Sequence, residues 1–382
     1  MLRSLPDTGI QVVSTATDGG DIELSLQRVS LTEPRDHEVT IRVGAAPINP
    51  SDLGPMLGPG DVLRMRVAGN GENTVVSLPV PESAQSALSP RLGKAVGTGH
   101  EGSGIVVATG RDPDAKALMG KIVAATGAGM YAEFRNVRAA DCLVLPDGTD
   151  PVQCASCFVN PLTVLGMIET AHREGHTAIV NTAAASQLGQ MFNRVCLMDG
   201  ISLINVIRRP EQEALLRDMG ATHICDTSSP DFEASLADAV VETGATIGFD
   251  ATGGGPLAGQ LLKAMESAAR RSISEVRKYG SNVYKQVYLY GGLDPSPTIF
   301  RKADFGSSWA IGEWRLTPYL QNIGTDVADE LRGRVAAEIT TTFKTAYARE
   351  IPLAGLLDPD AIRAFSRRST SAKYLVRPDL QG

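Results

Sequence analysis

Residues 183–189, Ala-Ala-Ala-Ser-Gln-Leu-Gly, are where residue types and spacing point most directly to chemistry. They lie between an apolar run at 177–180 and a helix-like stretch opening at Gln190. Small side chains there let the backbone approach an anion, and the free N–H groups of the following helix would point at it. Ala184, Ser186 and Gly189 occupy the three spaced small positions of a pyrophosphate-binding turn, the first two in place of glycine. A second apolar run at 202–207 ends at Arg208 and Arg209. An acidic residue at that place would accept hydrogen bonds from a ribose 2′-hydroxyl, whereas two guanidiniums would bind a 2′-phosphate. The pattern predicts a dinucleotide-binding turn that prefers NADPH to NADH.

Other reactive side chains are sparse. Of five cysteines (142, 154, 157, 196 and 225), Cys154 and Cys157 form one C-x-x-C with no second pair, so cysteines alone cannot build a four-ligand zinc lobe. Both are expected as thiols on a helix facing the core. The His100-Glu101 pair is a second polar focus, and Asn49 and Asp52 bracket a third. Asp52 reads as a turn-capping residue, and His100 as a hydrogen-bonding structural residue.

The elements that must position these groups change character along the chain. Short strands are expected at 9–13, 23–29, 37–46, 104–108 and 121–125, the mark of a compact β domain. Residues 57–90, rich in Gly, Pro, Ser and Asn, read as a long surface insertion with one alternating segment at 74–80 that allows a hairpin, serving either as a lid or as a plain surface loop. From residue 150, helical spacing at 151–170 opens a βαβαβ alternation: strands at 177–180, 202–207, 220–226 and 245–251, and helices at 190–198, 211–219 and 231–242. A helix at 257–278 and a strand at 286–290 follow, and the tail holds a helix at 358–367 and a strand at 374–376. That order implies a parallel sheet covered on both faces. The domains are therefore expected at 1–150, 151–340 and, as a return segment, 341–382.

Composition narrows the function classes. The 382 residues suffice for two cores, and a net charge of −7 with pI near 5.4 argues against nucleic-acid binding. No apolar run is expected to cross a membrane and no leader is evident, so a cytoplasmic protein is expected.

Seven motifs then fall in a familiar order: Ala45-Ala-Pro-Ile-Asn-Pro-Ser-Asp52, Gly99-His-Glu-Gly-Ser-Gly104, Asn160-Pro-Leu-Thr163, the turn at 183–189, Asp250-Ala-Thr-Gly-Gly254, Tyr290-Gly-Gly-Leu293 and Ala372-Lys-Tyr-Leu-Val-Arg-Pro378. In this the chain resembles the medium-chain dehydrogenase/reductases, and within them the zinc-independent quinone oxidoreductase and 2-enoyl thioester reductase branch. The resemblance implies an α/β chain: a GroES-like β domain plus a Rossmann doubly wound parallel-sheet domain, with the tail returning to the first. It implies that Asn160 and Thr163 lie by the nicotinamide and that Ala185, Ser186, Gln187, Leu188 and Gly189 border the pyrophosphate. Arg208 and Arg209 would meet the 2′-phosphate. Tyr290, Gly291, Gly292, Leu293 and Trp314 would line the nicotinamide pocket, with Lys373 reaching the cofactor from the tail. A homodimer acting on a small-molecule substrate is implied as well.

Zinc members of that superfamily use a cysteine, a His-Glu and a second cysteine. Here Asn49 stands for the first cysteine and Val159 for the last, so no metal is expected. Hydride transfer to an electron-poor acceptor needs positioning and a hydrogen bond to the oxygen that gains charge, for which Asn49 and Thr163 are the catalytic candidates. The expectation is an NADPH-dependent, metal-free reductase of a quinone or α,β-unsaturated carbonyl compound. A 2-enoyl thioester reductase is the enzyme alternative, and a non-catalytic NADPH-binding redox module the alternative from another class. The thioester reductases carry a tyrosine shortly after the first motif; here that position is Gly60.

Overall fold

A computed structural model describes residues 5–271, 278–367 and 373–380. The chain forms two compact units, residues 1–159 with 332–382, and residues 160–331.

The first unit is built on antiparallel strands. One sheet has the order Arg66–Ala68, Val75–Pro79, Asp21–Ser30, Thr8–Ala16, Ala95–Gly97. A second runs Cys142–Val144, Ile122–Thr126, Glu101–Thr109, Glu38–Pro47, Tyr374–Val376, Arg349–Ile351, with Phe134–Arg138 also on Glu38–Pro47. Alternation drives both, inward Val12, Ile22, Leu24, Ile41, Val43 and Val106 forming one buried core. The tail strand pairs Leu375 with Pro47 and Val376 with Ala46, so its preceding residue, Lys373, arrives beside Asn49.

Residues 57–90 contain the hairpin that the alternating segment allows, and it is part of a sheet where a surface insertion was expected. Arg66–Ala68 and Val75–Pro79 form a hairpin, and the latter strand pairs with Asp21–Ser30, burying Val76 and Leu78 completely. The alternating segment is a working strand of the sheet.

The second unit carries a six-stranded parallel sheet in the order His223–Asp226, Ser202–Ile207, Ala178–Asn181, Ile247–Asp250, Lys285–Leu289, Trp309–Glu313. Numbered along the chain this is 3-2-1-4-5-6, the Rossmann order, with its reversal between the first and fourth strands. Helices Gln187–Asp199, Glu211–Asp218, Phe232–Thr243 and Leu257–Arg271 connect the strands. The expected helix at 257–278 ends its described part at Arg271, and residues 272–277 lie outside the described residues. Trp309–Glu313 lacks the run of bulky apolar residues that marks inner strands and was not foreseen.

One stretch corrects the expectation about apolar runs. Residues 151–173 are long and apolar enough to cross a membrane by length and composition. They are nevertheless mostly buried and divided into Pro151–Cys154 and Val159–Arg173, as a core segment would be.

Candidate active site

The dinucleotide-type turn lies at the carboxyl ends of the parallel strands. Helix Gln187–Asp199 begins three residues before the hydrophobic pattern does, because Ser186 caps it: its Oγ accepts the Gly189 N–H at 3.1 Å. Ala184 is fully buried, and a Cβ on Gly189 would strike the Ala184 carbonyl, so glycine alone lets this helix pack so closely on its turn. Ala183 has φ of 50°, the left-handed region that favours glycine, and no other described non-glycine residue has positive φ. The backbone therefore makes the glycine-type turn with alanine. The N–H groups of Ala185, Gln187 and Leu188 have no acceptor among the described residues.

The neighbouring loops are tied to this turn by Asp250, the first residue of the Asp-Ala-Thr-Gly-Gly motif. Its Oδ1 accepts the Thr182 hydroxyl at 2.8 Å and the Thr252 N–H at 2.9 Å, and its Oδ2 the Gly253 N–H at 3.2 Å. Thr182 Oγ1 in turn accepts the Ala251 N–H. The loop after the fifth strand is zipped on by Tyr290 N–H to Asp250 O and Leu293 N–H to Ala251 O. Gly291 sits so near Ala251 that a Cβ would collide with its carbonyl oxygen. Burial and the nearby Asp250 charge push the Tyr290 phenol upward, so it stays neutral. Arg208 and Arg209 follow the second strand, both exposed, and neither guanidinium has a partner among the described residues.

Trp314 is 5% exposed, its Nε1 donates to Thr170 Oγ1 at 3.0 Å, and its ring packs on Tyr319 and against Gly166. It anchors helix Val159–Arg173. Asn160 and Thr163 lie one turn apart near the start of that helix, both buried.

The polar residues of the first unit form a closed network. Asn49 is 2% exposed; its Nδ2 donates to Glu101 Oε1 at 2.8 Å and its Oδ1 accepts from Lys373 Nζ at 3.0 Å. Glu101 Oε2 accepts the N–H groups of Phe158 and Val159, both at 2.9 Å. Lys373 Nζ also donates to Ser156 Oγ at 2.9 Å, and Ser156 meets the Tyr347 hydroxyl at 3.0 Å. Burial pushes the Glu101 carboxyl up, against the pull of the Lys373 ammonium and its N–H donors. Burial likewise lowers Lys373, opposed by Glu101 and Asp52.

Within the first unit the Asn49 amide bonds Glu101 and Lys373 and so positions both. Lys373 is held by Asn49 and Ser156. Asn49 and Thr163, the paired catalytic candidates, fall in different units. Among the described residues no three His, Cys, Asp or Glu side chains converge as metal ligands. The place beside Asn49 and Glu101 holds an ammonium, which would repel a cation, so this cluster does not fit a metal.

Sequence reasoning assigned Asp52 a cap and overlooked its second task. Asp52 Oδ2 accepts the Asn49 N–H at 2.7 Å, capping helix Pro50–Leu57, while Oδ1 accepts the His100 N–H at 2.8 Å and faces His100 Nδ1 at 2.6 Å. Asp52 is buried and the His100 side chain is 37% exposed. The sign was the pairing of an Asp-containing cap with a Gly-His-Glu motif, which spacing alone cannot bring together. Gly60 is equally informative: a Cβ there would lie 2.7 Å from Leu78 Cβ and 2.9 Å from Leu57 O. Any side chain at that position is excluded, and the strand inside the 57–90 segment is what excludes it.

A Rossmann sheet joined in sequence to an antiparallel β unit that takes back the tail defines a two-unit, dinucleotide-binding-type protein. The chain is similar in sequence and in fold to quinone oxidoreductases and enoyl reductases, in keeping with the resemblance that its motif order carries. It is 35% identical over 210 residues to a mitochondrial enoyl-[acyl-carrier-protein] reductase of Xenopus tropicalis, covering 53% of this chain and 51% of that one. It is 31% identical over 146 residues to a quinone oxidoreductase of Pseudomonas aeruginosa, covering 38% and 45%. The matches thus span about half the length of these curated relatives. A crystal structure from Mesorhizobium loti, of a protein provisionally described as an NADPH:quinone reductase, superposes with TM-score 0.73 at 26% identity over 98% of this chain and 100% of that one. No family model matches the chain.

Proposed function

We propose that this protein is an NADPH-dependent, metal-free oxidoreductase that reduces a quinone or an α,β-unsaturated carbonyl compound. The observation that carries the reading is the turn at 183–189, where three N–H groups at a helix start and two guanidiniums after the next strand have no partner among the described residues. That arrangement fits a pyrophosphate and a 2′-phosphate. The relatives' names, quinone oxidoreductase and NADPH:quinone reductase, point the same way. Ala185, Gln187 and Leu188 would hold the pyrophosphate and Arg208 with Arg209 the 2′-phosphate. Asn160, Thr163 and the loop Tyr290 to Leu293 would border the nicotinamide. When bound, the nicotinamide supplies a hydride. The protein's own share is to orient the acceptor and provide hydrogen bonds and a proton.

Gly60 favours a quinone or simple enone over the thioester alternative, because the tyrosine expected of thioester reductases has no room there. Loss of 340 nm absorbance with NADPH should be fast with a quinone or enone and slow with a crotonyl thioester. The reverse order would establish the enoyl thioester reductase, and NADPH binding without turnover on all three would establish the non-catalytic module.

A homodimer belongs to the same proposal. Trp309–Glu313 is an edge strand of its sheet, and Leu293, Ile299 and Phe300 nearby in sequence are 42%, 61% and 50% exposed. Light scattering should give twice the 40.4 kDa chain mass.

A further inference from the structure

Three asparagines inside the Rossmann unit take no part in the site described above. Asn181 closes the strand Ala178–Asn181, and the parallel register sets Asn205 of Ser202–Ile207 directly beside it. Their strand neighbours Val180, Ile204 and Val206 enter the core on one side of the sheet, so by alternation both amides project to the other. Helix Gln187–Asp199 covers that other side. The Asn205 amide donates to Asn193 Oδ1 at 3.1 Å, and Phe192 packs on Phe249, which pairs with Asn181 in the sheet. All three asparagines are buried, Asn193 at 2% exposure and the other two at 0%.

Their hydrogen bonding is incomplete. Asn181 Nδ2 and Oδ1, Asn193 Nδ2 and Asn205 Oδ1 are closed to solvent and have no partner among the described residues. A buried amide left unpaired carries its full desolvation cost, which is why such groups almost always have a partner. The balance of donors and acceptors says what that partner is. Turning over both the Asn193 and Asn205 amides still leaves one amine and one carbonyl between them, and Asn181 adds one of each. A cation would leave the amines unmatched, and an anion the carbonyls. A small neutral molecule that both donates and accepts matches all four. A cavity of about 170 Å³, lined by buried Asn193 and Cys196 and by exposed Gly200, Ser202 and Thr222, gives it a way in.

We infer that Asn181, Asn193 and Asn205 form a buried water-binding site between the parallel sheet and helix Gln187–Asp199. Bound water donates to the Asn181 and Asn205 carbonyls and accepts from the Asn181 and Asn193 amines, joining two strands and a helix that direct side-chain contacts join only in part. The site straddles the turn at 183–189, with Asn181 before it and Asn193 after it. Thr182, between Asn181 and the turn, is bonded to Asp250. The water therefore fixes both flanks of the turn against each other. Its bearing on cofactor affinity rests on the dinucleotide reading; the site itself does not.

The test uses the full chain, isotope-labelled at asparagine, and water-selective magnetic cross-relaxation in the laboratory and rotating frames. The Nδ2 protons of Asn181 and Asn193 should receive magnetisation from water with the sign of a long-resident molecule, opposite in the rotating frame to that of chemical exchange. Cross-peaks to carbon-bound protein protons alone would overturn the site. Cross-peaks to ammonium or a buffer alcohol would overturn water as its occupant. N193L strips Asn205 Nδ2 of its acceptor and should lower the urea midpoint, and N181L/N193L/N205L, apolar throughout, should recover part of that loss. Losses that add strictly would argue against a shared site, and the wild-type spectrum decides if a variant fails to fold. N193L should also weaken NADPH severalfold in a fluorescence titration, and unchanged affinity overturns the link to the turn. A wild type that binds no NADPH overturns the dinucleotide reading, while the water site stands or falls on its spectrum.

Discussion

In the Rossmann unit the N–H groups of Ala185, Gln187 and Leu188 and the guanidiniums of Arg208 and Arg209 have no partners among the described residues. In the β unit Asn49, Glu101, Ser156 and Lys373 bond almost wholly to one another. The first set has hydrogen-bonding capacity left for a ligand; the second uses its capacity to hold its own geometry. The exception in the β unit is His100, whose Nδ1 is bound and whose Nε2 has no partner among the described residues. Open capacity, more than residue type, separates groups that bind from groups that position.

Substitutions in each unit should sort the same way. The largest effect is expected from Gly189→Val, where branched atoms would meet the Ala184 carbonyl. Overpacking should cost about 3 kcal/mol in denaturant unfolding and abolish cofactor binding. Arg208→Ala should leave stability unchanged and weaken NADPH by about 1.5–3 kcal/mol, tenfold or more, with NADH unaffected in a fluorescence titration. Equal binding of both cofactors by wild type and variant would break the comparison at its open end. Lys373→Met should do the opposite, lowering stability by about 2 kcal/mol as Asn49 Oδ1 and Ser156 lose their donor and Glu101 its cation. Adding Glu101→Gln should recover part of that loss, and strict additivity in the double-mutant cycle would argue against a coupled network. The smallest change, about 1 kcal/mol, is expected for Ser186→Ala, read from thermal unfolding, because one cap bond is lost at a helix start.

The parallel unit was the more legible in sequence. Strand Ser202–Ile207 was read to the residue, and helices 211–218 and 232–243 to within one, because contiguous apolar runs bounded by glycine leave few alternatives. Trp309–Glu313 escaped because Gly312 and Glu313 dilute its pattern, and an aromatic beside a strand end, such as Trp314, reads alike whether it packs or lines. In the β unit the strand at 75–79 was visible as alternation, but composition around it suggested a loose loop. The Asp52–His100 pair lies 48 residues apart and Lys373 lies 324 residues from Asn49. Contacts at such separation follow from sheet register, which local periodicity does not encode.

That last separation also imposes an order of events. The strand Tyr374–Val376 delivers Lys373 to a cluster whose other members are at positions 49, 101 and 156. A ribosome releases those three long before the lysine. Until then, Glu101 would have to sink into its apolar surroundings with no ammonium to balance it, so the emerging β unit gains by keeping that pocket hydrated and ajar. The whole Rossmann unit is synthesised in the interval. The tail thus acts as a closing latch, supplying the last member of the cluster after the whole Rossmann unit has been made.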